Sequence, residues 1–381
     1  MEYLGDENNM SHKILKVKGG DPVESCNAML KELLKSKKIH ALLVAQETPT
    51  KKISFPVLIS DPEKLNADIF APILPVATAS IVSKMTKFEA AKKPIGVVMR
   101  PCQIRAFAEL VKLNQANPEN IIIIGVDCLG TFPVNTYADF PENKSPTKYL
   151  IDTFAKKTDD ADKYLRSACR VCKDPTPTNA DIVVGIYGMD AKKELLIESH
   201  TEAGKKLIEG LKLDASKEHD REKAVKSIHE HKTKNHAAFV KEKSSIKGID
   251  ALATFYDKCI NCHNCMKACP ICYCKECLFD SSVFDAEAYK FLRKADSKGL
   301  FKMPTDSLLF HLGRMNHMIL SCVECGLCEQ ACPNEIPLME VLINVADNAQ
   351  KEFEYNPGKD PKEKIPMIVY RENEFTEVGE K

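Results

Sequence analysis

Two stretches decide how this 381-residue chain is read: Cys259-Ile-Asn-Cys262-His-Asn-Cys265-Met-Lys-Ala-Cys269-Pro270 and Cys322-Val-Glu-Cys325-Gly-Leu-Cys328-Glu-Gln-Ala-Cys332-Pro333. Each has the spacing C-x2-C-x2-C-x3-C-P, and eleven of the sixteen cysteines fall in or beside them. Three thiolates on one tight loop can cap three irons of a cubane, whereas the fourth must arrive from another direction. The proline after it turns the chain away. In a paired arrangement of this kind the fourth cysteine of each run ligates the cluster of the other. The spacing therefore predicts one 4Fe-4S cluster on Cys259, Cys262, Cys265 and Cys332, and a second on Cys322, Cys325, Cys328 and Cys269.

Zinc is the chief competitor, because C-x2-C hooks also build tetrahedral zinc sites. Such sites need neither a third cysteine nor C-x3-C-P, and both copies here carry them. A disulfide scaffold fits less well, since a chain of this length can bury an ordinary core and shows no secretory signal. Lys plus Arg and Asp plus Glu balance at 54 each, so no field gathers a polyanion and nucleic acid is not an expected partner. No apolar run approaches the roughly 20 residues of a membrane span. Clusters and free thiols suit a reducing cytoplasm, and the polar opening Met1 to Ser11 reads as a frayed tail.

Ahead of the paired runs the chain alternates β and α. Asp21 and Pro22 open a helix with Val23, Cys26, Met29, Leu30, Leu33 and Leu34 at three- and four-residue steps. This places Cys26 in the core. Strands are expected at His40 to Ala45, Ile95 to Met99, Ile121 to Val126 and Asp181 to Tyr187, with Leu195 to Glu198 a possible partner. Helices are expected at Gln103 to Leu113 and Ala203 to Leu211. Asp214 to Ser245 is charged and poor in aromatics, which predicts a solvated connecting helix. The resulting boundaries are an α/β domain at 13–213, a linker at 214–250, an α+β two-cluster ferredoxin domain with a helical insertion at 251–345, and a tail at 346–381.

Cys102 and Cys128 lie just past the ends of two expected strands, where open α/β sheets place their ligand sites. Cys169 and Cys172 form a C-x2-C pair in a polar loop. Together these four predict a third 4Fe-4S cluster, although C-x2-C is also the spacing of a redox pair and lone cysteines are often buried hydrophobes. Cys272, Cys274 and Cys277 follow the first run within six residues. Three readings stay open for them: a fourth cluster, an alternative ligand set for the first, or reduced structural thiols.

Between the two runs, Leu278 to Ser321 is an insertion in which Leu308, Leu309, Leu312, Met315 and Ile319 form a stripe expected in the core. His311 and His317 are read as structural or surface groups, with a place beside a cluster as the sharper reading. His219, His229, His231 and His236 have no ligand spacing and are expected on a solvated face. The segment Gly358 to Lys381 is polar and expected at the surface.

The stretches Pro101-Cys102-Gln103-Ile104-Arg105-Ala106 and Ile124-Gly125-Val126-Asp127-Cys128, with Cys169-x2-Cys172 and Ala180-Asp181-Ile182, resemble the beta subunits of coenzyme F420-reducing hydrogenase and the related formate dehydrogenase. Cys269-Pro-Ile-Cys-Tyr-Cys-Lys-Glu-Cys277 and the stretch Phe310-His311-Leu312 to Met318 point to the formate dehydrogenase branch. The resemblance runs from about Lys13 to Pro337. It implies a flavin/deazaflavin module with bound FAD, which exchanges a hydride with coenzyme F420. It also implies a molybdenum or tungsten formate dehydrogenase catalytic subunit, or a heterodisulfide-reductase-type complex, as partner. A carrier such as NAD(P)H or ferredoxin in place of the deazaflavin, and a flavin-free electron-transfer adaptor, are the alternatives. There is no G-x-G-x-x-G after a strand, which weighs against NAD. Candidate FAD contacts flank the strand ends: Gln103, Arg105, Thr131 and Lys148. Arg105 suits a pyrophosphate or an anionic reduced flavin, its bland alternative being an ordinary helix-surface charge.

Overall fold

A computed structural model describes residues 11–50, 52–155, 163–216, 221–366 and 368–369. Among these, one mixed sheet has eight strands: β1 Ser11–Lys16, β2 Ala41–Glu47, β3 Ser54–Ile59, β4 Ile95–Met99, β5 Ile121–Val126, β6 Ile182–Gly185, β7 Glu194–Ser199 and β8 Asp214–Ala215. Their spatial order is β3-β2-β4-β5-β6-β7-β1-β8. The centre, β2-β4-β5-β6, is parallel, whereas β3 on one edge and β7, β1 and β8 on the other are antiparallel. The sheet-associated helices are α1 Pro22–Lys35, α2 Thr78–Thr86, α3 Pro101–Lys112, α4 Val134–Ala138, α5 Pro146–Ala155, α6 Ser167–Arg170 and α7 Glu202–Ile208.

Local chemistry explains the elements that position the site. Asp21 accepts from the amides of Val23 at 3.0 Å and Glu24 at 3.2 Å, capping α1, and Pro22 sits where its missing N–H costs nothing. The predicted apolar face of α1, with Cys26, is buried. β4 and β5 fall where the β-branched runs predicted them. Successive side chains of a strand face opposite sides. Leu42, Ile124 and Val184 pack with α1 and α7 on one face, while Leu43, Ile123 and Val183 lie on the other.

That second face joins both halves of the chain. Its core runs from Val97 and Phe107 to Tyr256, Met266, Phe310, Val323 and Ile343. The C-terminal half consists of α8 Arg221–Lys243, α9 Gly248–Phe255, α10 Asn264–Ala268, α11 Ala288–Lys298, α12 Ser307–Met318, α13 Leu327–Gln330 and α14 Met339–Glu352. No strand lies within 251–345, so the expected α+β ferredoxin segment is built of helices and turns. Left-handed residues bend the cysteine loops, and no hairpin ladder forms there.

Three further expectations are corrected. The stripe on α12 is rotated: Phe310, His311, Arg314, Met315 and Met318 are buried, whereas Leu309 is 55% and Leu312 36% exposed. The helix α8 is not wholly solvated. Its Arg221 and His236 are buried, and it packs on α14 through Lys243 to Glu340 at 2.9 Å. His229 also has partners, lying 2.8 Å from Thr176 Oγ1, and His231 alone of the described histidines on this helix is exposed. His219, residues 1–10 and most of the terminal segment lie outside the described residues. The start of that segment is not at the surface. Gly358 is buried, its amide donates to Glu109 Oε1 at 2.8 Å, and Asn179 Nδ2 donates to its carbonyl at 2.9 Å. At φ +69° it needs glycine's freedom, and a Cβ there would lie 2.3 Å from the Arg105 carbonyl oxygen.

Candidate metal centre

Cys102 sits in the first turn of α3 directly after β4, and Cys128 lies two residues beyond β5. Cys169 is in α6, with Cys172 just past it. The charges of these four act on one another, as expected of thiols converging on one place. Three arginine and threonine contacts shape the group. Arg100 Nη1 lies 3.2 Å from Cys128 Sγ. Thr131 Oγ1 lies 3.3 Å from Cys169 Sγ, and Arg166 Nε donates to Thr131 Oγ1 at 2.8 Å. Burial opposes the Cys169 thiolate, but Arg166 and Thr131 outweigh it and hold the thiol below its ordinary range. Burial pushes Cys172 far up, partly offset by Arg105. Iron coordination deprotonates a thiol outright and would remove that penalty.

The two C-terminal runs fold alike. Asn261 and His263 bracket Cys262 at φ 53° and 58°, as Glu324 and Gly326 bracket Cys325 at φ 56° and 69°. These left-handed positions curl each loop around its cysteines. One cavity is lined by Cys259, Cys262, Cys265 and Cys332, the set predicted for one cluster. His311 Nε2 is 3.3 Å from Cys259 Sγ, and its ring stacks on Tyr256 with centroids 3.9 Å apart. Burial lowers its pKa to about 3, so His311 is a neutral imidazole beside Cys259. His317 is exposed. Cys269 meets Cys322, Cys325 and Cys328, whose buried thiols feel its charge.

Cys102 and Cys325 also act on each other, and Arg166 faces Cys102, Cys169 and Cys325 together. Leu74, Ala77 and Leu327 pack around Cys102 and Cys325. Gln330 Nε2 donates to the Leu74 carbonyl at 2.9 Å, and Ser167 bonds to Glu329. Cys265 of the third group in turn feels Cys328 of the second, so the three cysteine groups form one continuous series.

The four candidate flavin contacts do not gather around one pocket. Gln103 is fully buried, with its amide 3.8 Å from Cys102 Sγ. Arg105 is 5% exposed, paired with Asp174 at 3.3 Å and donating to the Val323 carbonyl at 3.0 Å, so it is no helix-surface charge. Thr131 is buried against Cys169. Lys148 stands apart, pairing with the Asp21 cap at 2.9 Å. The Cys272, Cys274 and Cys277 thiols also fail to converge: Cys272 hydrogen-bonds to Cys269, Cys277 meets Met266 Sδ at 3.5 Å, and Cys274 is exposed.

A cleft of about 650 Å³ opens instead among Glu47, Asn66, Asp68, Tyr137 and Asn143 to Thr147. That lies within the range of small-molecule and cofactor sites. Desolvation pushes the half-buried Asp68 carboxyl up to about 6, against a hydrogen bond from Thr147 Oγ1 and another from the Phe70 amide. Arg100 connects this cleft to the cysteines. Its charge acts on Asp68, one Nη donates to the Ala71 carbonyl, and the other reaches Cys128. Sequence reasoning missed Arg100, Arg166 and Asp68. The only trace was the position of Arg100 before Pro101 at a strand end.

Comparison with known proteins finds similar sequences for both halves of the chain. Residues 92–222 match the family described as the C-terminal part of the beta subunit of coenzyme F420 hydrogenase/dehydrogenase, and residues 255–336 match the 4Fe-4S dicluster domain. The F420-dependent formate dehydrogenase subunit beta of Methanocaldococcus jannaschii is 27% identical over 87% of this chain and 91% of its own length. The F420-dependent formate dehydrogenase 1 subunit beta of Methanococcus maripaludis is 27% identical over 70% of this chain and 73% of its own. A chain of the F420-reducing [NiFe] hydrogenase complex from Methanosarcina barkeri superposes with a TM-score of 0.46 at 17% identity, over 66% of this chain and 96% of its own. With both matched segments carrying the cysteines just described, the chain is similar to the beta subunits of coenzyme F420 hydrogenase/dehydrogenase and is an oxidoreductase subunit.

Proposed function

We propose that this chain carries electrons between coenzyme F420 and a partner oxidoreductase subunit, through FAD and three 4Fe-4S clusters. The observation that carries the reading is the unbroken series of cysteine groups from the cleft side of the sheet to the exposed Cys262. The ligand sets are Cys102, Cys128, Cys169 and Cys172; Cys269, Cys322, Cys325 and Cys328; and Cys259, Cys262, Cys265 and Cys332. A flavin takes two electrons as a hydride and gives them up singly, which is the conversion required between a hydride carrier and one-electron clusters. The chain's own groups set the conditions around it. Arg100 spans the cleft wall and Cys128, and Arg166 spans the first and second cysteine groups.

The partner is a catalytic subunit of the formate dehydrogenase kind, with a heterodisulfide-reductase-type complex as a further acceptor. The dicluster half presents the exit. Cys262 and Ile260 are exposed, the latter by 56%, and Leu309 lies on the neighbouring α12. No helix among the described residues is long and apolar enough to cross a membrane. A cytoplasmic setting follows from the free thiols and clusters.

The test is anaerobic mixing of the iron- and FAD-replete chain with reduced coenzyme F420 and, separately, with NADH, while flavin and cluster bleaching are followed. Bleaching by the deazaflavin alone is expected. Bleaching by NADH alone would overturn the coenzyme assignment, and no bleaching by either would leave an adaptor.

Asp68 supplies a pH signature. With its pKa raised to about 6, it is neutral below that value and anionic above it, where it repels a bound pyrophosphate. FAD affinity is expected to rise several-fold as pH falls from 7.5 to 5.5. Asp68→Asn should flatten the profile, as read by flavin fluorescence titration. An unchanged slope in the variant would place the flavin elsewhere.

A further inference from the structure

Arg314 is buried to 3% exposure on the inner face of α12; its guanidinium hydrogen-bonds to the Cys272 and Cys328 thiols, while two of its nitrogens, Nε and Nη2, have no hydrogen-bond partner. A buried guanidinium with free N–H groups is costly as a rule. The cost is met only if a strong negative charge belongs beside it. Around Arg314 lie Cys265 from one cysteine group, Cys269 and Cys328 from the other, and Cys272. Tyr256 faces the same space. Its hydroxyl also lacks a partner, the residue is 1% exposed, and its surroundings are Arg314, Cys328, Cys265 and Cys259. Two unpartnered donors thus sit between two sets of thiols from separate segments.

We propose that Arg314 is a positioning residue shared by the two clusters of the dicluster half, donating to sulfur at both sites and raising their reduction potentials together. The proposal rests on the 4Fe-4S reading of the two runs. Cluster potential follows net charge, hydrogen bonds to sulfur and solvent exposure. A fixed cation with free N–H groups supplies the first two and occupies space that water would otherwise fill. The same placement gives Cys272 a role that requires no fourth cluster: it bonds to Cys269 and shares Arg314, so it helps seat one ligand. Because the guanidinium stands between the two sites, reduction of one should be felt at the other through it.

The experiment is an EPR-monitored anaerobic redox titration of the full chain reconstituted with iron and sulfide, comparing wild type with Arg314→Met and Arg314→Lys. Iron and acid-labile sulfide are measured first. A wild-type chain without iron would defeat the cluster reading itself, which separates that failure from failure of this proposal. With iron retained, Arg314→Met should lower the reduced-to-oxidised ratio of both dicluster centres about tenfold at the wild-type midpoint, equivalent to about 59 mV for one electron. The centre on Cys102, Cys128, Cys169 and Cys172 should stay in place, and Arg314→Lys should recover part of the change. An unchanged ratio, or an equal displacement of all three centres, overturns the proposal. If Arg314→Met loses iron, Arg314→Lys decides: iron kept with a near-wild-type ratio supports the charge role, and iron lost in both variants reduces Arg314 to a packing residue.

Discussion

Cys169→Ser is expected to remove one cluster and leave two, so that iron falls from about twelve to about eight atoms per chain, four for each cubane. Cys169 is a thiol whose surroundings favour the thiolate, with Arg166 and Thr131 directed at its sulfur. Serine keeps the volume but offers a poor ligand for iron. The loss should be confined to the sheet side of the molecule, because the substitution leaves all four thiols of the next set, Cys269, Cys322, Cys325 and Cys328, in place. Reduced coenzyme F420 would still bleach the flavin, whereas the two remaining clusters would no longer follow it. Iron analysis with EPR of the dithionite-reduced chain checks this. A variant that keeps its full iron would sink the third cluster set.

The second large effect is on stability. Arg221, at the start of α8, grips Asp127 with Nη1 at 2.6 Å and Nη2 at 3.1 Å, and its Nε lies 3.3 Å from Glu198. The Asp127 side chain is fully buried. Arg221→Met leaves that carboxylate with only the amides of Ile186 and Tyr187 as donors. Breaking a buried pair from one side costs about 3–5 kcal/mol. Urea unfolding should show a loss of that size, and adding Asp127→Asn should recover much of it, since the two substitutions act on one interaction. A single-variant loss under about 1 kcal/mol, the range of exposed pairs, would mean the pair is dispensable.

Legibility in the sequence followed the range of the interactions. β4, β5, α1 and α3 were readable because their signals are local: β-branched runs, a capping aspartate and helical spacing. β1 and β3 were missed. β1 is only six residues long, next to the sheet edge, with just two apolar residues, Ile14 and Leu15, side by side and no alternation, and β3 carries Pro56, which suits an edge strand but weakens the pattern. α2 was missed because its Thr, Ser and Val residues carry a weak helix preference and its burial comes from α3.

The same division applies to the candidate site. Spacing alone named the eight cysteines of the two runs, because tight loops around a cubane require that spacing. The cations were hidden. Arg100, Arg166 and Arg314 gain meaning only from groups far away in sequence, and nothing nearby distinguishes Arg314 from a surface residue of an amphipathic helix. His236 was misplaced for that reason, since its partner Glu324 at 3.1 Å lies in the second cysteine loop.

Arg105 bonded to Val323, Gln330 to Leu74, Ser167 to Glu329 and Gly358 to Glu109 fasten the sheet and the dicluster half at four points on opposite sides of the cysteine series. Packed protein interiors are as dense as organic crystals and barely compressible. The separation of Cys102 and Cys325 is therefore held fixed, with no swinging arm to wait for. On the proposed path, transfer inside this chain would be conduction through a solid, indifferent to the viscosity of the solvent, so a viscosity-dependent rate would have to originate where the chain meets something else.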